Sequence, residues 1–315
     1  MSFGPVTPSV EELMHHVVSV CVHRGGWAIA DATEAGVPVA TWPTPEETPL
    51  AGLAPGDVVA LRPAAGVAAG AEDVIVFFHG GTSLSVASFR LEEGTAVPWD
   101  SATHSPVAGA QSTAPINVVP STPPAYGDVV AVDEYGVVIV QVASAGTFGT
   151  HHYWGYLLPA ARNPDGTGGQ LGDAPYPYPF GDAELDSSGT ASGLVEINHF
   201  VEGDTLVTSP VEISNALIGP TRSGHDKPTV QLYPLRATGD SASNKVYDHG
   251  AVPMAHWASL SSGLGLNTTM TQVRDPETDS RYLAFGSPVS VAFGPLEPAG
   301  AVSYRILTYG GPVVP

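Results

Sequence analysis

Residues 127–142, with the sequence GDVVAVDEYGVVIVQV, decide the fold class of this chain. Two valine-rich runs, 129–132 and 137–142, flank the connection DEYG at 133–136. Two β-branched runs separated by a short connection with turn residues are typical of a β-hairpin. We therefore predict an antiparallel pair of strands here.

Similar strand patterns recur along the chain, and glycine and proline separate them. The 315 residues include 36 glycines and 30 prolines, without the regular glycine period of collagen. Such a composition favours many turns between short strands. Besides the hairpin, the predicted strands are 17–23, 27–32, 37–42, 57–62, 74–78, 84–91, 153–158, 194–201, 204–208, 228–235, 281–285, 288–294 and 301–309.

Helices are predicted to be few and short. Ser9 and Glu12 have the spacing of a capping box, so we expect a helix that starts there and ends near residues 15–16. The segments 211–217 and 251–262 are further candidates for short helices. Strands without regular intervening helices favour a mainly β fold, here an antiparallel β-sandwich or jelly-roll-like body with long Pro/Gly-rich loops.

We expect residues 1–315 to form a single β-rich domain with two extended loops. The stretch 98–125 is rich in Ser, Thr, Pro and Ala, and the stretch 163–193 is rich in glycine and proline. Loops of this length inside a compact domain usually bind something or contact a partner. A division near residue 193, into 1–193 and 194–315, is the alternative.

The charge of the chain argues against direct binding of nucleic acid. Acidic residues number 31 and basic residues 11, which gives a formal net charge of −20. Binding to a phosphate backbone requires clustered cations, whereas Lys227 and Lys245 are the only lysines in the sequence. We therefore expect no contact with DNA or RNA through a basic surface.

Membrane insertion and secretion are not expected either. No run approaches 18 uninterrupted apolar residues, and the first residues lack a cationic region followed by an apolar one. We expect synthesis in the cytoplasm without a signal peptide. The single cysteine, Cys21, cannot form a disulfide within the chain and lies in an apolar run.

One short motif carries a resemblance to a catalytic family. His79-Gly80-Gly81 follows a predicted strand and resembles the oxyanion-hole motif of α/β-hydrolase esterases. The resemblance implies a serine hydrolase that uses Ser83 and His79, with backbone N–H groups stabilising a tetrahedral intermediate. The chain departs from the nucleophile motif because Ser85 stands where a glycine is needed. We prefer a glycine turn between two strands, and we expect no enzyme activity.

No metal or cofactor site is predicted. His15-His16 and His151-His152 are adjacent pairs, and neighbouring residues of a strand point to opposite faces. A site assembled from distant histidines such as 199, 249 and 256 is the alternative. The acidic residues of the second long loop do not match an EF-hand, so we favour a solvated loop over a calcium site; they are Asp165, Asp173, Asp182, Glu184 and Asp186.

Aromatic residues and prolines in the two loops are the candidates for a protein interface. Large rigid side chains lose little entropy on binding and often dominate interfaces. In the second loop, prolines alternate with aromatic residues in the run PYPYPF at 175–180. The predicted interface residues are Trp99, Pro123, Pro124, Tyr176, Tyr178 and Phe180.

These observations favour a structural protein that assembles through subunit contacts. We expect a virus or phage particle component, either a capsid or coat, a decoration or a tail protein, with a final location in the virion. Its partners would be further copies of itself or other particle subunits. We also expect that deleting residues 100–124 leaves a folded body but impairs association. The alternative is a β-sandwich module that binds a glycan or a host surface, and a divergent serine hydrolase ranks below it.

Overall fold

The computed structural model describes fourteen segments of the chain. They are residues 9–44, 50–91, 97–120, 127–142, 151–157, 180–185, 194–200, 206–212, 230–240, 245–260, 271–274, 281–285, 289–293 and 303–307. Within them the protein is mainly β, with 21 strands and two helices. The predicted mainly β fold is confirmed, while the finer assignment to a sandwich or jelly roll stays a prediction.

The first half of the chain contains both described helices and a first sheet. The helices are α1 (Val10–His23) and α2 (Ala64–Ala69). The strands are β1 (Ala28–Glu34), β2 (Val37–Pro38), β3 (Val58–Arg62), β4 (Val74–His79), β5 (Leu84–Arg90), β6 (Trp99–Asp100), β7 (Ser105–Pro106), β8 (Gln111–Ser112) and β9 (Ile116–Val118). The first sheet has the order β2-β1-β3-β4-β5-β8, with β9 also paired to β5, and β6 pairs with β7 alone.

The rest of the chain forms two further antiparallel sheets. Its strands are β10 (Gly127–Val132), β11 (Gly136–Val142), β12 (His151–Tyr156), β13 (Phe180–Leu185), β14 (Leu194–Phe200), β15 (Leu206–Glu212), β16 (Val230–Asp240), β17 (Lys245–Leu260), β18 (Thr271–Arg274), β19 (Arg281–Phe285), β20 (Val289–Phe293) and β21 (Ser303–Leu307). The second sheet has the order β15-β14-β13-β12-β11-β10-β21, and the third has the order β16-β17-β20-β19-β18. The second sheet therefore contains strands from both sides of residue 193.

The hairpin predicted at residues 127–142 is confirmed. Strands β10 and β11 pair antiparallel, and Val132 faces Val137 at the end that carries the turn. In the turn, the Asp133 side chain accepts hydrogen bonds from the backbone N–H groups of Tyr135 (2.7 Å) and Gly136 (2.8 Å). An Asp side chain that bonds the backbone two residues on is a common way to close a turn.

Helix α1 is longer than predicted and lies in the centre of the core. Its capping box is present, because the Ser9 side chain accepts from the Glu12 N–H and the Glu12 side chain accepts from the Ser9 N–H. The helix then continues to His23, so the strand predicted at 17–23 is wrong. Residues 13–21 are all buried, between strands of the first sheet (β4, β5) and of the second (β10, β21). Burial on every side outweighs the modest preference of valine for strands.

One hydrophobic core joins α1 to the first two sheets. Leu13, Phe77, Trp154 and Phe180, which come from α1, β4, β12 and β13, belong to the same buried cluster. The opposite face of the first sheet has its own smaller cluster, formed by alternate residues of the same strands and covered by Trp99. The first sheet is therefore buried on both faces.

The stretch 98–125 is predicted to be an irregular surface loop. Its described part is mostly exposed, but it contains four short strands, so the prediction that it is irregular is wrong there. Residues 97–120, hereafter the covering segment, fold back onto the chain's own first sheet. Within it, β8 and β9 pair with β5, and the Thr113 and Ser88 backbones are linked by a hydrogen bond of 3.0 Å. A deletion of residues 100–124 would remove two strands of the sheet, β8 and β9. We therefore expect this deletion to disrupt the body rather than to leave it folded.

Three further segments differ from the sequence predictions or extend beyond the described residues. The helix predicted at 251–262 is wrong, because β17 runs through it to Leu260. The second predicted loop, 163–193, contains strand β13, and the rest of this stretch lies outside the described residues. The helix predicted at 211–217 begins in the last residues of β15, and its remainder lies outside the described residues.

Candidate functional site

The motif His79-Gly80-Gly81 forms the turn between two strands of the first sheet. His79 is the last residue of β4 and faces Leu84 of β5, and the Gly80 N–H donates to the Ser83 carbonyl (2.9 Å). Gly81 has a φ of +85°, a conformation that glycine adopts without strain. The predicted glycine turn between two strands is confirmed.

The His79 ring links this turn to helix α1. Its Nδ1 accepts a hydrogen bond from the Gly81 N–H (3.1 Å), which places the proton of a neutral ring on Nε2. Nε2 lies 3.0 Å from Glu11 Oε1, although the two groups are not aligned as a hydrogen bond. Burial acts to raise the Glu11 pKa, but hydrogen bonds and the nearby imidazole outweigh it and lower that pKa. Both ring nitrogens thus face groups other than a serine hydroxyl.

A second histidine is held by a buried carboxylate on the outer face of the first sheet. Asp31 of β1 is buried, and its Oδ2 accepts hydrogen bonds from Trp99 Nε1 (2.8 Å) and from His104 Nδ1 (2.9 Å). His104 has a φ of +51°, which is uncommon for a residue with a side chain. This carboxylate attaches the covering segment to the sheet at two points.

The contact between Asp31 and His104 fixes the chemistry of the imidazole. Because Nδ1 donates to the carboxylate, Nε2 of the neutral ring carries the lone pair. The His104 side chain is 29% exposed. The nearest hydroxyls in sequence bond elsewhere: Thr103 Oγ1 donates to Asp100 Oδ2 (2.8 Å) and lies 2.9 Å from Ser105 Oγ. The contact with Asp31 therefore orients the imidazole ring.

Asp57 is a carboxylate with four hydrogen-bond donors around it. Its oxygens accept from the backbone N–H groups of Ala35, Gly36 and Ala54, each at 2.8 Å, and from the Thr33 hydroxyl at 3.1 Å. Burial acts to raise the Asp57 pKa, but these hydrogen bonds outweigh it and lower that pKa. The carboxylate ties the turn between β1 and β2 to the turn that precedes β3.

A buried ion pair connects the first sheet to the second. Arg90 of β5 donates to both oxygens of Asp73, from Nε (2.8 Å) and Nη2 (2.7 Å). The Tyr156 hydroxyl of β12 donates to the same carboxylate (2.9 Å), and the Arg90 guanidinium lies 5.5 Å from the Phe180 ring centre. Burial raises the Tyr156 pKa well above its ordinary value, and the Asp73 charge adds to this effect. The charged groups therefore serve the contact between two sheets.

The predicted interface residues fall into two groups. Trp99 and Phe180 are buried inside the chain, at 3% and 0% exposure, so neither ring presents surface to a partner in this conformation. Trp99 packs edge-on against Phe78 and Phe89, with ring centres 5.8 and 5.5 Å away. Pro123, Pro124, Tyr176 and Tyr178 lie outside the described residues.

Sequence patterns do not identify the carboxylates at the centre of these networks. Asp31, Asp57 and Asp73 each bond to residues that are remote in the chain, up to 83 positions away for Asp73 and Tyr156. No local motif marks such a carboxylate. The one available signal is an acidic residue inside or beside an apolar strand pattern, where an exposed charge would be out of place.

Metal-ligand geometry, helix length and known relatives give no further assignment. Among the described side chains, no group of three or more His, Cys, Asp or Glu residues is arranged to hold a metal ion. Neither described helix is long and apolar enough to cross a membrane. Comparison of the chain with protein-family models, with curated proteins and with solved structures finds no match.

Proposed function

We propose that the chain is a structural protein that assembles with further subunits, as a capsid, decoration or tail component of a virus or phage particle. The observation that carries the proposal is the use of buried carboxylates in the described residues. Asp31, Asp57 and Asp73 bond to turns, to the covering segment and to a neighbouring sheet. Charged groups used in this way support a rigid body that works through its surface.

The exposed apolar side chains of the body add to this support. Val97 and Val119, exposed by 47% and 54%, stand at the two ends of the covering segment, and Val37, exposed by 63%, lies in the two-residue strand β2 at the edge of the first sheet. Single exposed valines are ordinary on a monomer. A neighbouring subunit that covers either end of the covering segment would bury one of them, which favours this segment as a contact surface.

The proposal is tested by measuring the oligomeric state of the purified chain. Size-exclusion chromatography with light scattering, over a wide range of protein concentration, is expected to show assemblies larger than a monomer, and electron microscopy is expected to show defined particles. The double variant Tyr176→Ser/Tyr178→Ser tests the predicted interface and is expected to shift the population towards the monomer. Val67→Ser on α2 is the matched control, because it removes a partly exposed apolar side chain outside the predicted interface.

A chain that remains monomeric at every concentration would contradict the proposal. Binding of such a monomer on a glycan array would instead favour the alternative of a glycan- or surface-binding module. Labelling of Ser83 by a fluorophosphonate, lost in Ser83→Ala, would favour the hydrolase. These three results are mutually distinguishable on the same preparation.

A further inference from the structure

The first part of the covering segment leaves the first sheet and returns to it at one point. Strand β5 ends at Arg90 and β8 begins at Gln111, and these two residues lie directly opposite one another. The chain between them is therefore an excursion whose two ends are neighbours. We call its described part, residues 97–110, the arm. Because both connections of the arm start from this one pair, the arm is able to swing as a unit while β8 stays paired with β5.

The arm has a fold of its own. Its strands β6 and β7 pair with each other and, among the described strands, with no other. The Val107 N–H donates to the Pro98 carbonyl (3.0 Å). In the turn between the two strands, the Asp100 side chain accepts from the Ala102 N–H and from the Thr103 hydroxyl. These bonds lie inside the arm and do not depend on the sheet beneath it.

Contacts between the arm and the sheet are concentrated at one place on the outer face. The hydrogen bonds from the arm to the other described residues are those of Trp99 and His104 with Asp31 of β1. The Trp99 ring packs against Phe78 and Phe89. We call Asp31, Phe78 and Phe89 the seat. Strands β3 and β4 lie between β1 and β5, so the arm reaches across about 14 Å of sheet to Asp31.

The arm carries little charge, although the whole chain has a net charge of −20. Asp100 is its only acidic residue, and residues 97–110 contain no lysine or arginine. The carboxylate of the seat, Asp31, is buried and bonded to the arm itself. Copies of an acidic chain repel one another through their exposed charges. An arm of this composition is therefore suited to lie on a second copy of the chain.

We infer that the arm is exchanged between copies of the chain, so that residues 97–110 of one subunit occupy the seat of another. This inference rests on the proposed assembly function and names a contact that joins two subunits. Exchange of an identical element is a low-cost route to dimers, because each contact of the arm with its own seat is formed again between chains. Trp99 then buries its ring in a neighbouring subunit.

The turn at residues 107–110 is the hinge of this exchange. The Ala110 N–H donates to the Val107 carbonyl (3.1 Å), and Gly109 has a φ of +90°. The chain reverses its direction here, between the arm and β8. A β-branched side chain is strained at a positive φ. Gly109→Val therefore disfavours the closed turn, whereas an extended connection to a neighbour accepts valine without strain.

The exchange is tested by photo-crosslinking of the full chain. A photoreactive benzoylphenylalanine replaces Ala102, which is exposed and lies two residues from His104. Isotope-labelled and unlabelled chains are refolded together, so that mass spectrometry separates crosslinks within a chain from those between chains. We expect crosslinks from the arm of one chain to the first sheet of another. The same group at Val67 of α2, also exposed, is the control and should give no such crosslink.

The hinge is tested by the association constant of the dimer. Gly109→Val is expected to raise this constant about fivefold or more, because it destabilises the closed arm alone. Ala108→Val is the matched control, because it adds the same side chain to the same turn at a residue without a positive φ. Sedimentation over a range of protein concentration measures the constant for each variant and for the wild type.

The outcomes separate this inference from the proposed function. Crosslinks confined to one chain, or none at all, in a sample that assembles would overturn the exchange and leave the proposed assembly intact. An unchanged association constant in a folded Gly109→Val variant would overturn the exchange as well. A chain that stays monomeric at every concentration would contradict both.

Discussion

Asp133 shows how one turn residue makes the stability of the chain depend on pH. It accepts two backbone hydrogen bonds in the turn between β10 and β11. Burial raises its pKa from an ordinary 3.8 to about 7, and the neighbouring Glu134 charge contributes. The native state therefore holds a proton on this carboxyl over a pH range in which the unfolded chain has already lost it.

We predict that Asp133→Asn stabilises the protein above neutral pH. The amide keeps an oxygen for the two N–H donors and carries no charge, so the free energy of unfolding at pH 8 should rise by about 1–2 kcal/mol. In the wild type, stability from this group falls as pH rises from about 4 to about 7, because the native state binds more protons there. Urea unfolding across this pH range measures both effects.

Asp100→Asn is the control for this prediction. Asp100 also closes a turn, but hydrogen bonds from the Ala102 N–H and the Thr103 hydroxyl lower its pKa, so its charged form is favoured. Its replacement should not raise stability at pH 8. A wild-type stability that is flat between pH 4 and 7, or an Asp133→Asn variant that is less stable at pH 8, would contradict the assignment.

At the residue scale, sequence patterns identify local bonds and miss remote ones. The capping box of Ser9 and Glu12 and the glycine turn after His79 are predictable, because all partners lie within a few positions. The bond from Trp99 to Asp31 spans 68 positions, and no local pattern reports it. Composition alone consequently predicts Trp99 as a surface contact, although it covers the outer face of the first sheet.

At the scale of elements, the contact between β5 and β12 depends on one buried carboxylate. Asp73, directly before β4, accepts from Arg90 and from Tyr156, and thereby links the first sheet to the second. Removing one partner of a buried ion pair leaves the other charge without compensation. The expected loss is larger than for a surface pair.

We predict that Arg90→Met lowers the free energy of unfolding by about 3–5 kcal/mol. Adding Asp73→Asn should restore part of this loss, because the amide removes the uncompensated charge and still accepts from the Tyr156 hydroxyl. Chemical denaturation of the wild type, Arg90→Met, Asp73→Asn and the double variant forms a complete double-mutant cycle. Equal loss in Arg90→Met and in the double variant would show that the contact acts through packing, with no contribution from charge.

Elements are predictable where their pattern is short and bounded by turns. Strands β3, β4 and β5 are expected within one or two residues of their observed bounds, since glycine, proline and aspartate delimit them. Helix α1 is predicted too short because its second half is a valine run that is equally typical of a strand. Only burial between two sheets decides between these states, and burial is a property of the tertiary fold.

At the scale of the whole molecule, the charge of −20 governs how copies approach one another. Like-charged subunits repel over a distance that salt shortens, to about 10 Å at 0.1 M. Contacts between apolar and aromatic side chains are not weakened by this screening. Salt should therefore favour assembly of this chain.

We predict that raising the salt concentration from about 10 mM to about 150 mM increases the assembled fraction at fixed protein concentration. Sedimentation velocity measures the fraction directly. The Tyr176→Ser/Tyr178→Ser variant is the control and should remain mostly monomeric at both concentrations. Assemblies that dissociate as salt is added would instead indicate contacts between opposite charges, which the composition of the chain disfavours.

The overall architecture is predictable only in part. A mainly β body follows from the hairpin and from the many glycine- and proline-bounded runs. The division into three sheets, the central position of α1 and the pairing of β10 with β21 depend on contacts between distant parts of the chain.

The partnership of β10 with β21 also constrains when the protein is able to fold during synthesis. Strand β10 is paired on both sides only once β21 has been synthesised, because Val130 lies opposite Arg305. Until the ribosome has delivered residue 307, β10 is an open sheet edge, and open edges recruit other nascent chains. The two sides of β10 are therefore paired at different times, since β11 follows it directly in the chain whereas β21 is synthesised more than 160 residues later.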